Sequence, residues 1–141
     1  MPAFWDTSAI IRICVPGQAT NRARKLLHQE SPVVWWTAPV EVRSALERLR
    51  FEGALSAGAY LTSRQRLEEL LRAWREVQPS ELVRDLACVQ LERFRLRAAD
   101  ALHLAAALVW CKQRPRGRPF VSNDEKLSVA AQRAGFDVRS T

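Results

Sequence analysis

Ala3-Phe4-Trp5-Asp6-Thr7-Ser8-Ala9-Ile10-Ile11 sets a short apolar run against a polar triplet and then a second apolar run. The first run reads as a buried β-strand ending at Asp6, and Thr7 and Ser8 lead into a helix. That order places Asp6 at the carboxyl end of a strand, the edge along which open α/β sheets bind ligands. Capping the following helix is an equally ordinary use of an aspartate there, so the stretch by itself leaves both roles open.

The same unit recurs along the chain. Gln18 to Glu30 is a polar-faced helix burying Ala19, Ala23, Leu26 and Leu27, with His28 near its end as a surface or helix-terminal charge. Val33-Val34-Trp35-Trp36 is a second strand, and a helix follows over 38–51 with Val40, Val42, Ala45, Leu46 and Leu49 apolar. Residues 54–75 predict a helix or helix pair burying Leu61, Leu67, Leu70, Leu71 and Trp74, before a weak third strand at Glu76-Val77-Gln78. A helix capped by Ser80 runs to Phe94, a second spans Ala98 to Trp110, and Phe120-Val121 is the fourth strand. Lys126 to Ala134 is helical and stopped by Gly135, and Phe136-Asp137-Val138 is a last strand. This alternation predicts one α/β domain over 1–141, a short parallel sheet of four to five strands with right-handed crossovers and helices on both faces.

Composition narrows the function. A chain of 141 residues, 48% hydrophobic, suffices for one core. The start carries no basic region followed by a long apolar run, and the longest apolar segment is too short to span a bilayer, so a soluble, cytoplasmic protein is expected. Cys14, Cys88 and Cys111 are odd in number, widely spaced and without CxxC, which predicts reduced core thiols rather than a disulfide or zinc site. A net charge of +7 favours a polyanion or an acidic protein as partner. The most basic run, Gln113 to Pro119 with Arg114, Arg116 and Arg118, is either a surface connection or a phosphate-contacting RNA-binding arm beside a site.

The acids carry the chemistry. Between Ala98 and Trp110 only Asp100 and His103 are polar, so this Ala- and Leu-rich helix is expected to be buried on several sides. Asp100 must then be protonated, paired or facing a cation; pairing with Arg97 or His103, each three residues away, is the structural alternative. Glu41 lies in the first turn of the helix after the second strand, where the helix dipole alone would accommodate it. Ser122-Asn123-Asp124-Glu125 has the form of a capping box, which accounts for Ser122 and Glu125 and leaves Asp124 without a structural task.

In a parallel sheet Asp6, Glu41 and Asp124 gather on one edge, whereas Asp100 needs a particular winding of the fold to join them. Two carboxylates about 4 Å apart repel by roughly 4 kcal/mol at an effective dielectric near 20, so such a group stays ionised with cations between its members. Oxygen ligands without Cys or His suit Mg²⁺ or Mn²⁺. A basic protein with a negative, metal-binding hole suits hydrolysis of a nucleic-acid phosphodiester, whereas His28 and His103 are poor material for a paired-histidine mechanism.

These pieces resemble the PIN-domain ribonucleases, specifically the VapC-type toxins of bacterial type II toxin–antitoxin pairs. The matching segments are Trp5-Asp6-Thr7-Ser8-Ala9, Val40-Glu41-Val42 with Ala45-Leu46, Leu96 through Ala105 with its Asp-Ala-Leu-His-Leu core, and Phe120-Val121-Ser122-Asn123-Asp124 through Gly135. The resemblance implies catalytic and metal-binding roles for Asp6, Glu41, Asp100 and Asp124 around one or two Mg²⁺ or Mn²⁺ ions. It gives Ser122 an orienting role and His103 a packing and supporting one, with Glu125 a second candidate beside Asp124. It also implies an RNA substrate, a cognate antitoxin protein and a homodimer, for which the apolar faces of 54–74 are candidate contacts. An antitoxin-free PIN nuclease of RNA processing and a non-catalytic PIN-like binding domain are the two other functions compatible with the fold.

Overall fold

The architecture comes from a computed structural model that describes residues 2–19 and 21–141. Strands β1 (Ala3–Trp5), β2 (Pro32–Trp35), β3 (Arg75–Val77), β4 (Pro119–Val121) and β5 (Asp137–Arg139) form one parallel sheet in the order β3-β2-β1-β4-β5. Helices α1 (Thr7–Cys14), α2 (Asn21–Gln29), α3 (Ala38–Phe51), α4 (Ala57–Ala73), α5 (Glu81–Arg93), α6 (Ala98–Trp110) and α7 (Glu125–Ala134) connect them. With β1 at the centre, the chain winds outward to β2 and β3 and then crosses to β4 and β5. The strand order reverses between β1 and β4, which is where such sheets open a crevice at their carboxyl edge.

Side-chain alternation explains why both faces are covered. Ala3, Trp5, Val34 and Val121 point into one core with α1, α3 and α4. Phe4, Val33, Trp35 and Phe120 point into the other, with α5, α6 and α7. Phe4 stacks on Phe120 at 5.4 Å between centroids, tying the two central strands on that side. Helix α6 buries His103 and Leu104 through Leu108, as expected of a helix apolar around its circumference.

Several local expectations change. Residues 57–73 are one helix, and within it Leu61 and Leu71 face solvent while Leu67 and Leu70 are buried. Packing on α1 and α3 takes only one stripe of α4, and its leucines outnumber that stripe. Cys14 and Cys111 are buried free thiols, but Cys88 stands exposed on α5. The capping box is also reassigned: the N-cap of α7 is Asp124, whose Oδ1 accepts from the Leu127 N–H at 2.8 Å, and this frees Ser122 for another task.

Candidate active site

Asp6 ends β1 and caps α1, and it does both jobs at once. Its Oδ1 accepts from the Ala9 N–H at 3.1 Å and the Ser8 hydroxyl at 2.7 Å, while Oδ2 accepts from the Ser122 hydroxyl at 2.7 Å. The carboxyl is 3% exposed. Burial pushes its pKa up, against hydrogen bonds from Ser8 and Ser122, the pull of His103 and the Ala9 N–H. The Ser122 hydroxyl also accepts from the Asp124 N–H at 3.0 Å, so one serine at the end of β4 fixes both the β1 carboxylate and the loop carrying Asp124. Asn123 extends the brace, donating its N–H to Ser8 Oγ at 2.9 Å and accepting from the Thr141 N–H at 3.0 Å.

Glu41 projects from the first turn of α3. Thr37 donates to its Oε2 at 2.5 Å, and His103 Nε2 lies 3.1 Å from Oε1 and 2.9 Å from Oε2. Burial raises the Glu41 pKa, but the hydrogen bond and charge of His103, with Thr37 and Thr7, outweigh it and leave the carboxyl below its ordinary value. His103 is buried against the edge of Phe4, and among the described residues its Nδ1 has no partner. The geometry therefore calls for the proton on Nε2, facing the carboxylate. The alternative of an intrahelical His103 to Asp100 pair gives way to this contact across helices.

Asp100 is the unsupported member. Among the described residues it takes no hydrogen bond or ion pair. Its pKa is raised by burial, then by the charge of Asp124, with Glu41 adding to the rise while His103 and Arg97 pull against it. Glu41, Asp100 and Asp124 line one cleft of about 820 Å³ at the carboxyl edge. Asp6 is outside its lining and is joined to the Asp124 loop through Ser122.

Four cations also line the cleft: Arg48, Arg95 and Lys126, which sequence reasoning missed, and Arg97, which it considered as a partner for Asp100. One signal was available for Arg48, which follows Glu41 by seven residues and so shares its face of α3. The structure does not bring Arg114, Arg116 and Arg118 to the cleft. Helix α6 carries the chain about 15 Å, at 1.5 Å per residue, from Asp100 to Trp110 towards the opposite edge. The loop there leads into the amino end of β4, and Arg118 packs its guanidinium over Trp110 at 5.2 Å.

The donor set, four carboxylates with a serine hydroxyl, matches a hard divalent cation in chemistry, and the mutual repulsion at Asp100 is relieved by positive charge. Among the described residues no three His, Cys, Asp or Glu side chains converge closely enough to hold a metal ion as they stand. The charge and chemistry of the cleft fit such an ion, and its carboxylates would have to draw in to ligate it.

Comparison with known proteins agrees with this fold. The family model for the PIN domain matches residues 3–132. The chain belongs to the PIN domain family. Members are generally nucleases and typically use divalent metals. Among solved structures, this PIN domain is similar to a chain of a toxin-antitoxin complex from Klebsiella pneumoniae, at 15% identity and a TM-score of 0.62, with 88% of each chain covered. It is also similar to a protein of Pyrobaculum aerophilum, at 18% identity and a TM-score of 0.65, covering 92% of this chain and 79% of the other. At such identities the likeness concerns the fold. Comparison with curated protein sequences gives no match. Among the described residues, no helix is long and apolar enough to cross a membrane.

Proposed function

We propose that this PIN domain is a metal-dependent endoribonuclease, the toxin of a toxin–antitoxin pair, hydrolysing RNA phosphodiester bonds with water as the nucleophile. The observation that carries the reading is the cleft whose wall sets Glu41, Asp100 and Asp124 together with Arg48, Arg95, Arg97 and Lys126. A purely phosphate-binding surface has no use for the three acids, and a purely cation-binding one has no use for the four cations.

Asp6 and Asp100 would hold Mg²⁺ or Mn²⁺, with Glu41 and Asp124 completing the shell directly or through water. When bound, the ion supplies activation of the attacking water and neutralises charge on the phosphate. The rest falls to side chains of this chain. Ser122 and Ser8 orient the Asp6 carboxylate, while Thr37 and His103 keep Glu41 ionised and pointed at the cleft. Arg48, Arg97 and Lys126 seat the phosphate by charge. Attack by water without use of the 2′-hydroxyl leaves 5′-phosphate and 3′-hydroxyl ends.

Support for an antitoxin partner is the fold shared with a chain of the Klebsiella pneumoniae toxin-antitoxin complex. Phe51 on α3 and Leu61 on α4, 78% and 61% exposed, are candidate contacts for the antitoxin or for a second copy in a homodimer. The cytoplasm is the compartment that goes with this assignment.

The test is cleavage of a mixed cellular RNA pool by purified protein, wild type beside Asp6→Asn and Asp100→Asn, in Mg²⁺, Mn²⁺ or EDTA. Discrete cuts with 5′-phosphate ends that need metal and disappear in both variants are expected. Cleavage retained by both variants, or none from folded, antitoxin-free wild type with either metal, would refute the reading.

A further inference from the structure

The acidic cleft does not end at its basic rim. Arg95, Leu96 and Lys126 belong to its wall and also to the wall of a second cleft of about 640 Å³, between the α5–α6 connection and α7. The second cleft adds Arg93, Phe94 and Arg133, set against the single acid Glu125 among its charged residues. Its chemistry differs from the first: four cations share its wall with one aromatic ring, and the Arg93 guanidinium lies 5.0 Å from the centre of the Phe94 ring. Phe94 is half-buried, so its ring is held rather than free to swing into solvent. It follows the last residue of α5, capped by its own N–H to Gln90 O at 2.9 Å.

We infer that this second cleft is a subsite for the RNA strand flanking the cut, with Phe94 and Arg93 as a stacking platform for one base and Arg95, Lys126 and Arg133 as seats for its phosphates. The inference rests on the ribonuclease reading and extends it to a second cleft, outside the acidic one, that holds the strand through residues of its own. Two observations support this occupant. The cleft adjoins the place where the reacting phosphate would sit, sharing Arg95, Leu96 and Lys126 as a common wall, so a strand leaving the acids has it as its next neighbour. An aromatic face beside a guanidinium suits a base, which stacks whatever its identity, and the surrounding cations suit the backbone that must accompany it. A base-paired strand could not present an unstacked base to Phe94.

The experiment measures binding, in EDTA so that nothing is cut, of fluorescent single-stranded RNAs of four and twelve nucleotides and of a twelve-base-pair duplex, with cleavage in Mg²⁺ alongside. Wild type should bind the twelve-mer more tightly than the four-mer and in preference to the duplex. Phe94→Ala should lose roughly fivefold or more of the twelve-mer affinity, as expected of one stacked base. Arg133→Ala, at an exposed position that folding does not depend on, should lower the salt slope of twelve-mer binding by about 0.7, the value for one phosphate on a single strand. Both variants should raise the KM for long RNA while leaving the ends of the products unaltered. Equal length gain and salt slope in wild type, Phe94→Ala and Arg133→Ala would overturn the subsite. So would displacement of nothing but an acidic peptide from this cleft, which would make it a protein-docking groove. Failure of the nuclease reading is separable, because it appears as absent cleavage whatever the binding result.

Discussion

At the carboxyl edge of the sheet, Glu41, Asp100 and Asp124 share a cleft with Arg48, Arg95, Arg97 and Lys126. At the amino edge, Arg114, Arg116 and Arg118 stand on the loop between α6 and β4. The amino-edge loop is the denser basic run in sequence, yet its one ordered contact of this kind is ordinary packing, Arg118 over Trp110. The carboxyl edge draws its charges from residues far apart in the chain and holds some of them at a loss, since burial and two neighbouring acids raise the pKa of Asp100. Local charge density finds a basic loop; an unfavourable juxtaposition maintained by the fold is the better mark of a site.

The contrast is broken or sharpened first by activity. Asp100→Asn should lower RNA cleavage on the order of 100-fold or more, the scale seen when a group aimed at the reacting centre is lost. Arg116→Ala should change it less than twofold. Comparable losses from both would mean that the amino edge takes part and that the cleft is not the whole site. Ser122→Ala comes next. It removes the hydroxyl that orients Asp6 and holds the Asp124 N–H, and by analogy with partners that orient metal ligands it should cost about 10- to 100-fold in activity or metal affinity. Circular dichroism would separate that loss from unfolding, and Ser122→Thr, which keeps the hydroxyl, should recover part of it. A smaller effect separates the two edges by salt. Each phosphate contact on a single strand contributes about 0.7 to the slope of log affinity against log salt. Arg97→Ala should therefore reduce the slope by about that amount and Arg116→Ala should not; the reverse result would return the RNA path to the amino edge.

How much of this was legible in the sequence depends on distance along the chain. The three central strands are short but buried on both faces, so Phe4 and its neighbours read as apolar runs, and even the weak edge strand, expected at Glu76 to Gln78 and found at Arg75–Val77, was visible before Pro79. Asp6 was legible because a carboxylate at a strand end is local information. Its two candidate roles prove compatible, one oxygen capping α1 and the other taking the Ser122 hydroxyl. The local S-x-x-E pattern made Ser122 a cap, and only the family resemblance gave it an orienting role, because its partner Asp6 lies 116 residues away. His103 was placed beside Asp100 by helical spacing, and it turned instead to Glu41 across 62 residues. Arg95 and Lys126 escaped for the same reason, since only the packing of α6 and α7 on one face of the sheet brings them to a common wall.

The gentlest probe of the contrast is stability in the absence of metal. The Asp100 carboxyl titrates above its ordinary value of 3.8, so the folded protein binds that proton more tightly than the unfolded chain does. Stability from this group is therefore lost as pH rises through the window between 3.8 and the folded value, and the ionised form stays unfavourable above it. In EDTA at pH 7, Asp100→Asn should melt a few degrees higher than wild type, and the advantage should shrink as pH falls through the window and vanish only well below pH 3.8, where the wild-type carboxyl is protonated in both states. Glu41 works in the other direction: its pKa is lowered, so it contributes stability above its ordinary 4.5 that is lost as pH falls through the folded value. Because both proteins keep Glu41, that contribution largely cancels in the difference, which isolates Asp100. Mg²⁺ should then reverse the order. An ion bound only by the folded state stabilises by about 2.7 kcal/mol at a hundred times its dissociation constant, and wild type should gain more of this than Asp100→Asn. A variant that melts lower than wild type in EDTA at pH 7 would mean that Asp100 is paired rather than repelled. A Mg²⁺ shift equal in both proteins would take Asp100 out of the ligand set, leaving Asp6, Glu41 and Asp124 to hold the ion.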